Sequence, residues 1–394
     1  MPSQQPTIEI PDKSQENARR ASVVHLTSVH RPTDQRIFQR ECRTLAGNGY
    51  AVTLIAPHEE SEVRDGVAVR AVPRPRNRFA RMTTTLWRVY REALRQNADV
   101  YHFHDPELIP VGSLLRLHGK TVIYDMHENV PAQIAGGSDK GWIPQSLRKP
   151  VSRIFAVFER AAAPGFSAIV TANSEISRHA NEMNRRVVLL GNYPEAVEFR
   201  DFAADPSRFY SGRIVNFAGI SSRACTKEVV QALGMLPDEL NAEMLLGGSA
   251  TLQSYANEVT SLPGWRRVKF VGSQPRQRLM QELRDAAVAI VLFSPAPNHY
   301  GIGSNRFYEA LAAGVPVIVS DFPQWRAAMD RLQCGLAVQP RDPGAIAKAI
   351  TFLLTHPEDA ARMGARGREA FLNEYCWDSE KRKLLDLYQE LTAA

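Results

Sequence analysis

From Ser22 onward, short runs of β-branched and apolar residues alternate with longer segments of helical spacing, which is how parallel sheets covered by helices read. The predicted strands of the first half are Ser22–Thr27, Ala51–Ala56, Val67–Val72, Val100–Phe103, Thr121–Asp125, Ala168–Thr171 and Val187–Leu190. Helical spacing lies between them at Gln35–Ala46, Phe79–Gln96, Glu107–Leu117 and Pro150–Ala163. A second series follows at Ile214–Ala218, Glu243–Leu246, Val268–Val271, Ala287–Phe293, Val315–Ser320 and Gly335–Val338, then helices at Asp342–Leu354, Pro357–Asn373 and Asp378–Thr392. Alternation of this kind implies two doubly wound α/β domains.

A chain of 394 residues exceeds the size at which one core keeps growing, in line with two units. The boundaries expected are a disordered polar leader over 1–20, an N-terminal domain over 21–195 and a C-terminal domain over 205–375. A last helix over 376–394 is placed to cross back onto the first domain. Tyr193–Ser211, with Pro194 and Pro206 and no clear period, reads as the linker.

At 44% hydrophobic and 23% charged residues the composition is that of an ordinary globular protein. No run reaches the ~18 apolar residues of a membrane helix. The four cysteines are far apart without Cys-x-x-Cys spacing, which suggests neither a zinc knot nor a disulfide framework and fits a reducing cytoplasm. The net charge of +6 is uneven, with 27 basic against 21 acidic residues in 1–200 and 21 of each beyond. Between Arg64 and Arg95 nine arginines face only Asp65 and Glu92. Such a density attracts an anionic surface, phospholipid or lipid diphosphate, and places the protein peripherally on the inner face of the plasma membrane; a solvated basic face reads the same way. Phe79, Leu86, Trp87 and Tyr90 lie in the same stretch, as in a helix lying on a bilayer or one facing a core. No nucleic-acid-binding motif accompanies the charge.

In open α/β sheets ligands sit beyond the carboxyl ends of the strands. Here those ends carry His30, Arg31 and Asp34, then His104, Asp105 and Glu107, then Asp125, His127, Glu128 and Asn129. Strand alternation puts His102 and His104 on one face and Tyr101 and Phe103 on the other. His-x-His on a buried strand more often fills space than binds zinc, and no Asp-x-Asp occurs, so no metal is expected. In the second half, Gly301 and Gly303 open a helix that ends at Gly314. Free N–H groups at its start, with Ser304, Asn305 and Arg306, suit phosphate oxygens, and Glu309 one turn in can accept from ribose hydroxyls.

These segments together resemble family four glycosyltransferases of the GT-B architecture, in which two Rossmann-like domains face a cleft. The resemblance runs through His25-Leu26-Thr27-Ser28-Val29-His30 with Asp34-Gln35-Arg36-Ile37-Phe38, through Tyr101-His102-Phe103-His104-Asp105-Pro106-Glu107-Leu108, and through Val122-Ile123-Tyr124-Asp125-Met126-His127-Glu128. It resumes at Ser304-Asn305-Arg306-Phe307-Tyr308-Glu309-Ala310-Leu311-Ala312-Ala313-Gly314 and Ser320-Asp321-Phe322-Pro323-Gln324-Trp325. What it implies is metal-independent, anomer-retaining transfer of a sugar from a UDP- or GDP-linked donor, with no cofactor, to a lipid-linked or polysaccharide acceptor. Glu309 is implied as the ribose-binding glutamate, His127 as the histidine near the transferring sugar, and Asn305 and Arg306 as diphosphate contacts. Arg223 and Lys227, after Gly219, are the candidates for the basic pair. Asp105 and Glu128 are candidates to orient His127 or take a proton, and His30, Arg31, Asp34 and His104 lie on the acceptor side. One departure is Gly301, where many members carry a second glutamate. A nucleotide-sugar epimerase or hydrolase, or a non-catalytic binding module, would read similarly.

Overall fold

The computed structural model describes residues 21–136, 143–200, 202, 205–296 and 299–393; the expected leader lies outside them. The first sheet has eight strands: β1 Ser22–Leu26, β2 Ala51–Pro57, β3 Glu62–Arg64, β4 Val67–Val72, β5 Val100–Phe103, β6 Thr121–Met126, β7 Ala168–Thr171 and β8 Val187–Leu189. Their spatial order is β3-β4-β2-β1-β5-β6-β7-β8, parallel throughout except for the β3–β4 hairpin. That hairpin turns on Asp65 and Gly66, both at positive φ, the conformation a tight two-residue turn requires. The second sheet comprises β9 Arg213–Asn216, β10 Glu243–Gly247, β11 Val268–Gly272, β12 Val288–Val291, β13 Val317–Ser320 and β14 Gly335–Val338, ordered β11-β10-β9-β12-β13-β14 and all parallel. The chain reverses its winding between β1 and β5 and between β9 and β12. Those switch points fix where a crevice opens at the strand ends.

Alternation along β1 and β5 divides their side chains between two cores. Val24, Leu26, Tyr101 and Phe103 join one, packed with Val89, Ile109 and Leu115. Val23 and Val100 join the other, with Ile37, Phe38 and Leu45 from the helical stretch Gln35–Gly47. The helix Trp377–Ala393 lies on this second face, burying Trp377, Leu384, Leu387 and Tyr388 against the first sheet. Each such side chain contributes roughly 1.5–3 kcal/mol by leaving water. Trp377 Nε1 donates to Thr44 Oγ1 at 3.0 Å, and Gly191 N donates to Glu380 at 2.8 Å.

The stretch expected as a linker is packed rather than loose. It holds two short 3-10 turns, Ala196–Phe199 and Pro206–Tyr210, and buries Phe199 and Phe209 in the second domain. Arg208 donates to the carbonyls of Ala313 (3.1 Å) and Gly314 (2.6 Å), satisfying the end of helix Asn305–Ala312. Gly314 follows that helix at φ +64°, the left-handed conformation that favours glycine there.

Candidate active site

Where the two domains face each other a cavity of about 260 Å³ opens. His127, Glu128, Asn173 and Glu175 line its N-terminal wall, and Arg223, His299, Gly301, Gly303 and Ser304 its C-terminal wall. The domains also touch beside it: Gln324 Nε2 donates to Glu175 Oε2 at 3.0 Å. The cavity therefore sits at the carboxyl ends of both sheets.

His127 follows β6 and shares a face with Asp125, two residues earlier. Its Nε2 lies 3.1 Å from Asp125 Oδ2, and 22% of the His127 side chain is exposed, so one ring nitrogen is turned toward Asp125 and the ring still reaches the cavity. Asp125 is the hub of the N-terminal wall. Arg36 grips it with two hydrogen bonds, Nε at 2.8 Å and Nη2 at 3.0 Å, and His104 Nδ1 stands 3.1 Å away. Burial alone would raise the Asp125 pKa, but Arg36, His127 and His104 outweigh it and hold the carboxyl well below its usual range. A fixed buried carboxylate behind a half-exposed imidazole sets that ring's orientation and tautomer.

Asp105, the candidate to orient His127 or take a proton, lies 3.4 Å from His30 Nε2. It is buried and accepts from Thr27 Oγ1 (2.8 Å), Ser28 N (2.6 Å) and Ser28 Oγ (3.2 Å), so it ties the end of β1 to the end of β5. His104, expected on the acceptor side, is likewise buried, with Nδ1 turned toward Asp125. Glu128 is exposed and lines the cavity, and Arg31 is exposed. His30 is 31% exposed, with its ring 5.6 Å from His127 and its Nδ1 3.1 Å from Asp34.

Asp34 also caps the helix beginning at Gln35, accepting from Arg36 N and Ile37 N. Burial would raise its pKa, but His30 and those two N–H groups pull it down. For His30, burial lowers the pKa and is outweighed by the Asp34 hydrogen bond and the nearby carboxylates, so the value is raised. A raised histidine stabilises fully below its unfolded pKa of about 6.5 and loses that contribution as pH rises through the folded value. His30→Gln is thus expected to lose up to ~1 kcal/mol of stability near pH 6, a difference that shrinks toward pH 8 in denaturant titrations; a difference that grows with pH contradicts this account.

On the C-terminal wall, Arg223 follows β9 in the turn Ser222–Ala224, with Nη2 3.4 Å from His299 Nε2. Gly219, at φ +69°, lets this loop pass the chain at Ser249, whose carbonyl would lie 2.1 Å from any Cβ there. Its role is to shape the loop. Lys227 is not at the cavity: its ammonium pairs with Glu258. Ser304 and Gly303 line the cavity at the start of helix Asn305–Ala312. The Arg306 guanidinium lies 4.8 Å over the Phe293 ring, and burial lowers its pKa to about 10. Both Arg306 Nη1 and Asn305 Oδ1 are buried without a hydrogen-bond partner among the described residues. Glu309 is buried, one oxygen accepting from Arg276 Nη2 at 2.8 Å, and burial raises its pKa.

Asn173, Glu175 and His299 are among the cavity residues that escape sequence reasoning. At Gly301 an added Cβ would stand 3.1 Å from the Glu175 Cβ, so a glutamate of the N-terminal domain packs against the position where many family members carry a second glutamate. The Asp125-Met126-His127 spacing was the one local sign of the hub.

Two family models match the chain: the glycosyl transferase 4-like domain over residues 35–192 and the glycosyl transferases group 1 over residues 213–370. A glycogen synthase of Mycobacterium tuberculosis is 22% identical over 71% of this chain and 66% of its own length. A D-inositol 3-phosphate glycosyltransferase of Corynebacterium efficiens is 28% identical over 47% of this chain and 43% of its own. Among solved structures, sucrose-phosphate synthase from Thermosynechococcus elongatus superposes with a TM-score of 0.76 at 18% identity, covering 95% of this chain and 100% of that one. Anabaena HepE, solved with UDP and glucose, gives 0.69 at 13% identity, covering 94% and 100%. With family models matching in both sheets and the two-sheet architecture shared with these structures, the chain belongs to the family 4-like glycosyltransferases of GT-B fold.

Proposed function

We propose that the protein transfers a sugar from a nucleotide-sugar to a lipid-linked or polysaccharide acceptor, with retention of anomeric configuration and without a metal at the diphosphate. The observation that carries this reading is the cavity with His127 on one wall and Arg223 and the Ser304 helix start on the other. In the reaction the bond from the anomeric carbon to the β-phosphate oxygen breaks, its electron pair leaving on the diphosphate. The acceptor hydroxyl bonds to the same face, and its proton passes to the departing phosphate oxygen. Charge grows on that oxygen, and Arg223, Arg306 and the helix N-terminus are the groups to neutralise it. His127, oriented by Asp125, is the hydrogen-bond partner for a hydroxyl of the transferring sugar.

Arg223→Ala is expected to lower kcat/KM for the donor by about 10²-fold. The assay follows nucleoside diphosphate release from UDP- and GDP-sugars with candidate acceptors and no added divalent ion. An unchanged rate removes Arg223 from the site. Equal donor loss with and without acceptor points instead to hydrolysis or epimerisation.

The acceptor's source is the second part of the reading. In the helices over residues 78–96, Leu86 and Tyr90 turn toward the core, whereas Phe79 (78% exposed) and Trp87 (58%) face outward among arginines. Helix Gln145–Ala162, on the same side of the sheet, exposes Ile154 and Val157 beside Arg153. Apolar side chains ringed by arginine suit an anionic bilayer surface. Among the described residues no helix is long and apolar enough to cross a membrane. Co-sedimentation with vesicles containing anionic phospholipid is expected at low salt and weakens several-fold in Phe79→Ser/Trp87→Ser. Binding equal to that of neutral vesicles contradicts the proposal.

A further inference from the structure

Beneath the N-terminal wall lies a second cluster that the transfer reaction does not use. His25 on β1, His102 on β5 and His104 just beyond it point to the face covered by Glu41 and by Tyr388 of the C-terminal helix. All four cluster residues are fully or almost fully buried. Around Glu41 Oε2 stand His25 Nδ1 at 3.8 Å, His102 Nδ1 at 3.9 Å and His104 Nε2 at 3.9 Å. These separations are too long for hydrogen bonds and about half an ångström beyond the ~3.3 Å edge of a tetrahedron with metal–ligand distances of 2.0–2.1 Å, and the four ligand atoms all lie within 4.8 Å of one another. The fourth approach, His25 Nδ1 to His104 Nε2, is 2.9 Å.

We propose that His25, Glu41, His102 and His104 bind a transition-metal dication, zinc by its ligand set, in the core of the N-terminal domain. Two further observations support it. Among the described residues no group meets either oxygen of Glu41 in hydrogen-bond geometry, although the carboxyl is buried, and Arg36 Nε approaches Oε1 at 3.2 Å. The outer contacts are those that orient metal-bound imidazoles: His104 uses its other nitrogen, Nδ1, toward Asp125 at 3.1 Å, and His25 uses Nε2 toward the Tyr388 hydroxyl at 3.3 Å. On binding, the Tyr388 hydroxyl gives up His102 Nδ1, which it meets at 2.8 Å, and keeps His25. The metal so placed is structural. It lies behind Asp125, apart from the diphosphate, and ties β1, β5, the helical stretch after Asp34 and the C-terminal helix together.

The test uses the full chain, stripped with chelator, desalted and titrated with Zn²⁺ alone against a chromophoric chelator of micromolar affinity. One equivalent is expected to bind, and X-ray absorption is expected to show imidazole scattering with nitrogen and oxygen ligands at about 2.0–2.1 Å. Glu41→Gln and His102→Ala are expected to weaken binding about 100-fold or more, beyond the 10–100-fold typical of an outer-shell partner. Folded wild-type protein that takes up no zinc overturns the proposal, as does equal uptake by both variants. The wild-type titration stands whether or not the variants fold, and neither readout depends on glycosyl transfer.

Discussion

His127→Ala is expected to lower kcat by about 10²–10³-fold while KM for the donor changes by no more than about threefold, measured as sugar transfer at saturating acceptor. The asymmetry follows from where the ring sits. On the function proposed above, the nucleotide end of the donor falls to Arg223 and Ser304 across the cavity, with Asn305 and Arg306 behind them, so ground-state affinity survives the change. On the same reading His127 meets only the sugar end, where its contact would strengthen as the anomeric carbon becomes electron-poor. The fold is expected to persist, because the ring is 22% exposed and its loss leaves Asp125 with Arg36 and His104. His127→Gln keeps one donor without the imidazole and is expected to recover part of the rate. A variant that retains more than about a tenth of wild-type kcat shows that the histidine is a wall residue and not a participant.

Period-2 and period-3.6 patterns made nearly every strand visible, because a parallel strand covered on both faces is apolar throughout and flanked by helices. The strand β3 Glu62–Arg64 escaped, since three residues with two charges carry no such run. The predicted strand Ala287–Phe293 ends early, at Val291, where the chain leaves the sheet and Phe293 becomes the platform under Arg306. The helix expected over Gln35–Ala46 opens instead as a π-helix, Gln35–Cys42, which puts Arg36, Arg40 and Glu41 all among the buried residues. Nothing local announces that shift of phase. The candidate site divides along the same line. His127 and Arg223 were legible because each follows a recognisable strand, but Asp125 as a hub was not, because its partners Arg36 and His104 lie 89 and 21 residues away. Glu175 opposite Gly301 is a meeting of two domains, which strand periodicity cannot encode. Lys227 is the converse case: residue type and spacing made it a donor-site candidate, and in the structure its partly exposed ammonium pairs with Glu258 on the neighbouring helix.

Arg36→Met is expected to destabilise the N-terminal domain by about 3–5 kcal/mol, read as a lower denaturant midpoint. The guanidinium is buried, and it is the shared counter-ion of Asp125, at 2.8 Å, and Glu41, at 3.2 Å. It also donates to the Leu190 carbonyl at 2.9 Å, just before the chain leaves for the second domain. Methionine fills much of the volume but leaves the Asp125 carboxylate and the Leu190 carbonyl in a dry interior with fewer donors. The cost is therefore dominated by uncompensated charge rather than by a cavity. Against a total stability of 5–15 kcal/mol for a typical domain, such a loss removes a large share. Charge as the cause has a further consequence: adding Asp125→Asn to Arg36→Met is expected to recover part of the loss, making the two changes non-additive because they act on one pair. A loss below about 1 kcal/mol, or strict additivity of the two, contradicts Arg36 as the buried counter-ion. Because Asp125 also holds His127, the single Arg36 variant is expected to lose transfer activity at temperatures where it remains folded, and that link joins the stability of this wall to the geometry of the cavity it lines.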